Sequence, residues 1–201
     1  MNTEELKEEI MRANPSDIYQ KYLTGSEVWF FKEKLKDEKF YQTYDQFKRY
    51  INKQLNIGFN EIAIIGSAKV GFSFSPNPEK MLKPFHEKSD IDLVLVSKSY
   101  YEKFWKARLQ MYYEENDETP YAPFAKNIFR KFIDMDDFPE NNNLYTEWRK
   151  KVDPFQKHLE LTFQMAEYDV NYRIFESWQV VEDYYISGIS KVKEIIIRGD
   201  N

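Results

Sequence analysis

Two apolar runs, EIAIIGS at residues 61–67 and DIDLVLVS at residues 90–97, decide the fold of this chain. The first predicts a short strand over residues 61–65 that runs directly into a glycine-serine turn. The second is rich in branched apolar residues and predicts a buried strand with acidic residues at its start. Between them, residues 73–89 contain prolines and many polar residues, so we expect a loop or an irregular insertion there.

The first 57 residues are predicted to be mostly helical. Acidic residues after Thr3 are typical of a helix start. Apolar residues three and four apart predict a second helix over residues 40–56, and Gly58 is placed to end it. We therefore expect residues 1–57 to form a helical extension packed on the core, and residues 58–201 to form a single compact unit.

The second half of the chain predicts further helices and one further strand. A capping box, Ser99 to Glu102, predicts a helix start after the second apolar run. Residues 165–175 alternate in polarity, which is the period of a strand, and apolar residues from Trp178 onward share one helical face. Residues 114–143 give no clear pattern. Strands separated by helices predict an α/β or α+β fold.

Composition excludes several kinds of site. The chain of 201 residues has no cysteine, which removes disulfides, thiolate zinc sites, iron–sulfur ligation and cysteine nucleophiles. Its two histidines leave little room for a histidine metal site or a serine–histidine triad. A metal would therefore be held mainly by carboxylates, which suits Mg²⁺ or Mn²⁺.

The sequence also predicts a cytoplasmic protein with no membrane partner. The N-terminal residues are acidic and carry no apolar signal core. No apolar run approaches the ~20 residues needed to cross a bilayer. The net charge is −5, so we expect no tight binding to long duplex DNA, because gripping its backbone requires a basic track.

Acidic residues at the start of the second predicted strand are the first candidate site. Asp90 and Asp92 point to the same face of a strand, about 6–7 Å apart along the chain, and can converge on one divalent cation. The alternative is a pair of solvated acids at a strand end. A further acidic run, Asp134 to Asp137, lacks the glycine and glutamate of an EF-hand loop and predicts a solvated turn.

The turn after the first strand is the second candidate site. Gly66 allows the backbone to turn sharply and to bring N–H groups close to an anion, and Ser67 adds a hydroxyl suited to a phosphate oxygen. Lys69 is the candidate cation that would neutralise the phosphate. For Gly66 and Ser67 the alternative is an ordinary turn at the end of a strand. For Lys69 the alternative is a surface lysine without a binding role. The spacing is not that of a P-loop.

A glycine-serine turn followed by an Asp-x-Asp strand resembles the signature of the polymerase-β-like nucleotidyltransferase superfamily. The resemblance rests on Gly66, Ser67, Asp90 and Asp92, and the spacer between them, residues 68–89, is longer than is typical of the family. The resemblance implies a mixed β-sheet flanked by helices. It also implies that the turn holds the triphosphate of an NTP, with ATP as the expected nucleotide, and that the paired acids bind Mg²⁺ or Mn²⁺.

The family also has a third acid on a later strand, which completes the metal site and helps activate the acceptor hydroxyl. Asp169 has the expected hydrophobic–acid–hydrophobic setting and Glu167 is the second candidate, with a solvated strand face as the alternative. The resemblance implies transfer of a nucleoside monophosphate to a hydroxyl of a protein, a nucleotide or an RNA end. Small members of the family serve toxin–antitoxin or antiphage systems, which would supply a partner protein. The rival interpretation is a non-catalytic nucleotide-binding or partner-binding module that retains the fold.

Overall fold

The computed structural model describes residues 3–114, 121–163 and 168–199. Within these ranges the strands are β1 (Ile62–Ile65), β2 (Ile91–Val96), β3 (Phe132–Asp134) and β4 (Val170–Phe175). The helices are α1 (Thr3–Arg12), α2 (Pro15–Tyr19), α3 (Phe40–Leu55), α4 (Ser67–Val70), α5 (Lys98–Tyr113), α6 (Tyr121–Phe129), α7 (Asn143–Phe163) and α8 (Trp178–Arg198). Two π-helical turns (Gln20–Thr24, Phe30–Lys34) and two 3₁₀ turns (Phe59–Glu61, Met135–Asp137) complete the described elements.

The four strands form one mixed sheet in the order β1-β2-β4-β3. Strand β2 pairs antiparallel with β1 and parallel with β4, and β4 pairs antiparallel with β3. Helices flank this sheet, so the predicted α+β fold with a mixed sheet is confirmed.

Both faces of the sheet are buried, which explains the continuous apolar run in β2. On one face Leu93 joins a core built largely from α3, α5 and α7. On the other face Val94 joins a core built largely from α1, α2 and α8. A strand covered on both faces gains from apolar residues at every position and shows no alternation. The helices of residues 3–57 contribute to both cores.

Several element boundaries differ from the sequence-based expectation. Helix α3 ends at Leu55 because Asn56 adopts the left-handed conformation, two residues before Gly58. Helix α5 is capped by Ser97, whose side chain accepts from the Tyr100 N–H, so the predicted capping box begins two residues too late.

The segment without a clear pattern contains α6 and β3. Strand β3 has three residues, too few to show a period, and it is defined by its pairing with β4 rather than by its own sequence. The predicted strand over residues 165–175 is observed from Val170 onward. Residues 164–167 lie outside the described residues. Among the described helices, none combines the length and hydropathy needed to span a membrane.

The outer edge of the sheet is protected by a tyrosine. Strand β1 is an edge strand, and the backbone N–H of Ile64 donates to the hydroxyl of Tyr44 at 3.1 Å. Tyr44 lies on α3 and is buried, and burial raises the pKa of its hydroxyl to about 12. The helix therefore satisfies a strand donor that would otherwise be buried without a partner.

Replacing this tyrosine tests the edge protection. We expect Tyr44→Phe to lower the free energy of unfolding by about 1–3 kcal/mol, because a buried N–H loses its acceptor while the ring is retained. Urea denaturation followed by circular dichroism measures the change. Tyr41→Phe, on the same helix but half exposed, is the matched control. Equal stability of the two variants would contradict this account of the strand edge.

Candidate functional site

A cleft of about 1010 Å³ lies on the α8 side of the sheet, at the start of β2. Four residues of the two sequence motifs, Gly66, Ser67, Asp90 and Asp92, line it. The segment of residues 73–89 contributes one wall, and the α6–β3 turn and α8 contribute the others. The cleft thus brings together the turn and the paired acids, which are separated by 22 residues in the sequence.

The glycine turn and the second acid are in direct contact. In the antiparallel pairing of β1 with β2, Asp92 is the partner of Ile65, the residue before Gly66. Gly66 has φ 71° and ψ −149°, and a Cβ added there would lie 2.5 Å from Oδ2 of Asp92. Both the backbone conformation and the close carboxylate therefore require glycine at this position.

The second acid is held by an arginine from the neighbouring strand. Nη1 of Arg173 lies 3.2 Å from Oδ1 of Asp92, and Nε of the same guanidinium lies 3.1 Å from Oδ2 of Asp134 on β3. Burial raises the pKa of the Asp92 carboxyl, and Arg173 opposes this rise. Burial would lower the pKa of Arg173, but Asp92, Asp134, Tyr184 and Tyr185 together outweigh this effect and raise it well above its ordinary value.

The strand expected to carry a third acid presents other side chains to the cleft. Asn171, the partner of Asp92 in the parallel pairing of β2 with β4, lines the cleft together with Arg173. Asp169 precedes β4, where its backbone carbonyl accepts from the Ile91 N–H. Its side chain is exposed and is not among the residues that line the cleft. Glu167 lies outside the described residues.

The acidic run at the end of β3 is not simply a solvated turn, as its sequence suggested. The Asp134 side chain is only 17% exposed and pairs with Arg173, and the Asp137 carboxylate accepts from the side-chain amide of Asn127. Asp136 remains exposed. The alternating polarity of residues 165–175 predicted that Asn171 and Arg173 share one face of a strand. Asp134 comes next to them only because β3 pairs with β4.

Lys69 does not point into the cleft. Its side chain is buried beneath the turn, and Nζ donates to the backbone carbonyl of Gly25. Burial lowers the pKa of this amine to about 8. The structure thus gives no support to a phosphate-binding role for Lys69. This hydrogen bond instead links the loop that contains Gly25 to α4.

Other cations surround the cleft on several sides. They come from the 73–89 segment, from the turn after α6 and from α8: Lys80, Lys83, Lys88, Arg130, Lys131 and Lys191. Cations on facing walls raise the local concentration of anions, because a low-dielectric cleft focuses their fields. Lys193, two residues after Lys191 on α8, donates to the Ala13 carbonyl and does not line the cleft.

The oxygen ligands available here suit a hard divalent cation. Asp90 and Asp92 supply carboxylates and Asn171 supplies an amide oxygen, which are ligand types of Mg²⁺ and Mn²⁺. Within residues 3–114, 121–163 and 168–199, no group of three or more histidine, cysteine, aspartate or glutamate side chains is arranged to hold a metal ion. The donor set for a metal at this cleft is therefore two carboxylates with a neutral oxygen.

No protein family, no characterised protein and no solved structure matches this chain. The resemblance to nucleotidyltransferases rests on the residues of the turn and of the paired acids.

The contact between the turn and the acid predicts a specific sensitivity. We expect Gly66→Ala to lower the free energy of unfolding by about 1–3 kcal/mol, because alanine is strained at this φ and its Cβ collides with Asp92. Denaturant unfolding measures the change. Gly25→Ala is the matched control, because a Cβ there meets no atom within 4 Å. A Gly66→Ala variant as stable as this control would contradict the close approach.

Proposed function

We propose that this protein is a metal-dependent nucleotidyltransferase, which moves a nucleoside monophosphate from an NTP, with ATP as the expected donor, to an acceptor hydroxyl. One observation carries the proposal. The Gly66 turn and the Asp92 carboxylate, the two parts of the motif that resembles this superfamily, lie against each other at the cleft. Cations on three sides of the same cleft support binding of a triphosphate.

The residues of the cleft divide into two roles. Asp90 and Asp92 would hold Mg²⁺ or Mn²⁺, and the bound ion supplies charge neutralisation for the phosphates. Gly66 brings its backbone close to the phosphates, and the Ser67 hydroxyl donates to a phosphate oxygen. Lysines of the cleft wall, such as Lys80 and Lys88, offset the remaining negative charge.

The acceptor and the setting are proposed from the resemblance. The acceptor is a hydroxyl of a protein, a nucleotide or an RNA end, and the setting is a cytoplasmic toxin–antitoxin or antiphage system with a partner protein. The volume of about 1010 Å³ is at the upper end of the range for small-molecule pockets, which is consistent with a donor nucleotide and part of an acceptor side by side.

A second candidate function is a non-catalytic nucleotide-binding module. One observation favours it: the cleft face of β4 carries Asn171 and Arg173 rather than a third carboxylate, and Asp169 is exposed outside the cleft. An arginine cannot accept the proton of an acceptor hydroxyl, because it stays protonated in proteins. In this alternative the cleft binds NTP and the metal without turnover.

Turnover of labelled ATP separates the two candidates. With ATP, Mg²⁺ and a mixture of protein, nucleotide and RNA acceptors, we expect pyrophosphate release as the nucleoside monophosphate is transferred to an acceptor hydroxyl. We expect the double variant Asp90→Ala, Asp92→Ala to lose Mg²⁺-dependent ATP binding, since no carboxylate remains to hold the ion at this position. Asp169→Asn is the matched control and should keep activity within about threefold, because its side chain does not line the cleft.

Two results would decide against the proposal. Binding of ATP and Mg²⁺ without pyrophosphate release, in the presence of these acceptors, supports the module. Unchanged Mg²⁺-dependent ATP binding by the double variant would show that Asp90 and Asp92 are not the metal ligands.

The acidic balance of the chain predicts weak affinity for duplex DNA. The cations near the site line a cleft and alternate with Glu79, Asp183 and the paired acids, so they form no continuous basic track. Each phosphate contact would add about 0.9 to the slope of log affinity against log salt. We therefore expect filter binding to random duplex DNA at ~0.15 M salt to be weaker than micromolar. Submicromolar binding with a steep salt dependence would contradict this expectation.

A further inference from the structure

The Arg173 side chain occupies a central position that the proposed chemistry does not by itself explain. It projects from β4, the strand that lies between β2 and β3, and its pairing partners are Val94 on β2 and Asp134 on β3. Its guanidinium reaches a carboxylate on each side, Asp92 at 3.2 Å and Asp134 at 3.1 Å. The side chains of all three residues are less than a quarter exposed.

This guanidinium contacts two of the four acids at this end of the sheet, Asp92 and Asp134. Asp90 and Asp92 stand at the start of β2, Asp134 ends β3, and Asp136 follows it in the next turn. Ionised carboxylates this close together require a positive charge nearby, and the Arg173 side chain on β4 supplies it.

The two oxygens of Asp92 face different partners. Oδ1 contacts Arg173, whereas Oδ2 is the atom that approaches the backbone of Gly66. Asp134, the other carboxylate on this face, also points an oxygen at Arg173. The oxygens left for an ion are those of Asp90, Oδ2 of Asp92 and the amide oxygen of Asn171, which is the partner of Asp92 across the sheet.

We propose that Arg173 is a permanent counter-ion of this cleft, and that the nucleotide-loaded protein therefore holds one divalent cation per chain rather than two. The inference rests on the proposed function, because it concerns the metal of that same site. In two-metal enzymes the ions lie about 3.5–4 Å apart and share ligands. Here a second ion on Oδ1 of Asp92 would have to displace a guanidinium that is anchored on both sides.

Counting bound metal tests the proposal directly. Mn²⁺ is titrated into the full chain loaded with one equivalent of an ATP analogue whose α–β bridge is a methylene group. The electron paramagnetic resonance signal of free Mn²⁺ then gives the number of ions bound per chain. We expect one ion per chain. Two ions per chain would overturn the inference.

Variants of Arg173 give the second test. Arg173→Met removes the charge and frees the oxygens of Asp92 and Asp134, so we expect two bound ions. Arg173→Lys retains a cation and should bind one. Arg149→Met is the matched control, because it removes an arginine–aspartate pair, with Asp153, that lies on the exposed surface of α7. A single ion in Arg173→Met would overturn the inference.

Three further outcomes are also interpretable. If Arg173→Met does not fold, the ion counts of the unmodified chain and of Arg173→Lys decide alone. If the unmodified chain binds two ions and releases pyrophosphate from ATP, the counter-ion role fails and the proposed function stands. If no Mn²⁺ binds with the analogue and no pyrophosphate is released, both fail.

Discussion

The approach of the Asp92 carboxylate to the backbone of Gly66 is the contact on which the cleft depends. It joins the end of β1 to the start of β2 at the point where the antiparallel pair stops. A residue with a side chain at position 66 would push the acid away, because its Cβ would lie 2.5 Å from Oδ2. The contact therefore sets the distance between the glycine turn and the paired acids at this end of the sheet.

Burial on both faces of the sheet explains why the charges collect at one end. Strand β2 from Leu93 onward packs into a core on each side, and an unpaired charge there would be costly. The acids therefore stand at the start of β2, and Arg173 on β4 provides the opposite charge where the sheet meets the cleft. The same segregation leaves the cleft polar while the strands beneath it stay apolar.

The site and the fold support each other through residues that are distant in sequence. The 73–89 segment contributes lysines to one wall, and α8 contributes Lys191 to another. Lys69, although adjacent to the turn, is turned away and ties α4 to the Gly25 carbonyl. A residue next to the motif in sequence therefore need not line the cleft, since the direction of its side chain depends on the helix or strand that carries it.

The sequence by itself determined the elements with a strong period and the local chemistry of the motifs. The apolar runs predicted β1 and β2, and the alternation before residue 175 placed Asn171 and Arg173 on one face. Only the tertiary structure decided that Asp169 is outside the cleft, and that Asp134 meets Asp92 through Arg173. The physical reason is that local patterns record which face of a strand is buried, whereas strand order and register depend on the packing of the whole chain. The short strand β3 has no pattern of its own, so its carboxylate reached the site through pairing alone.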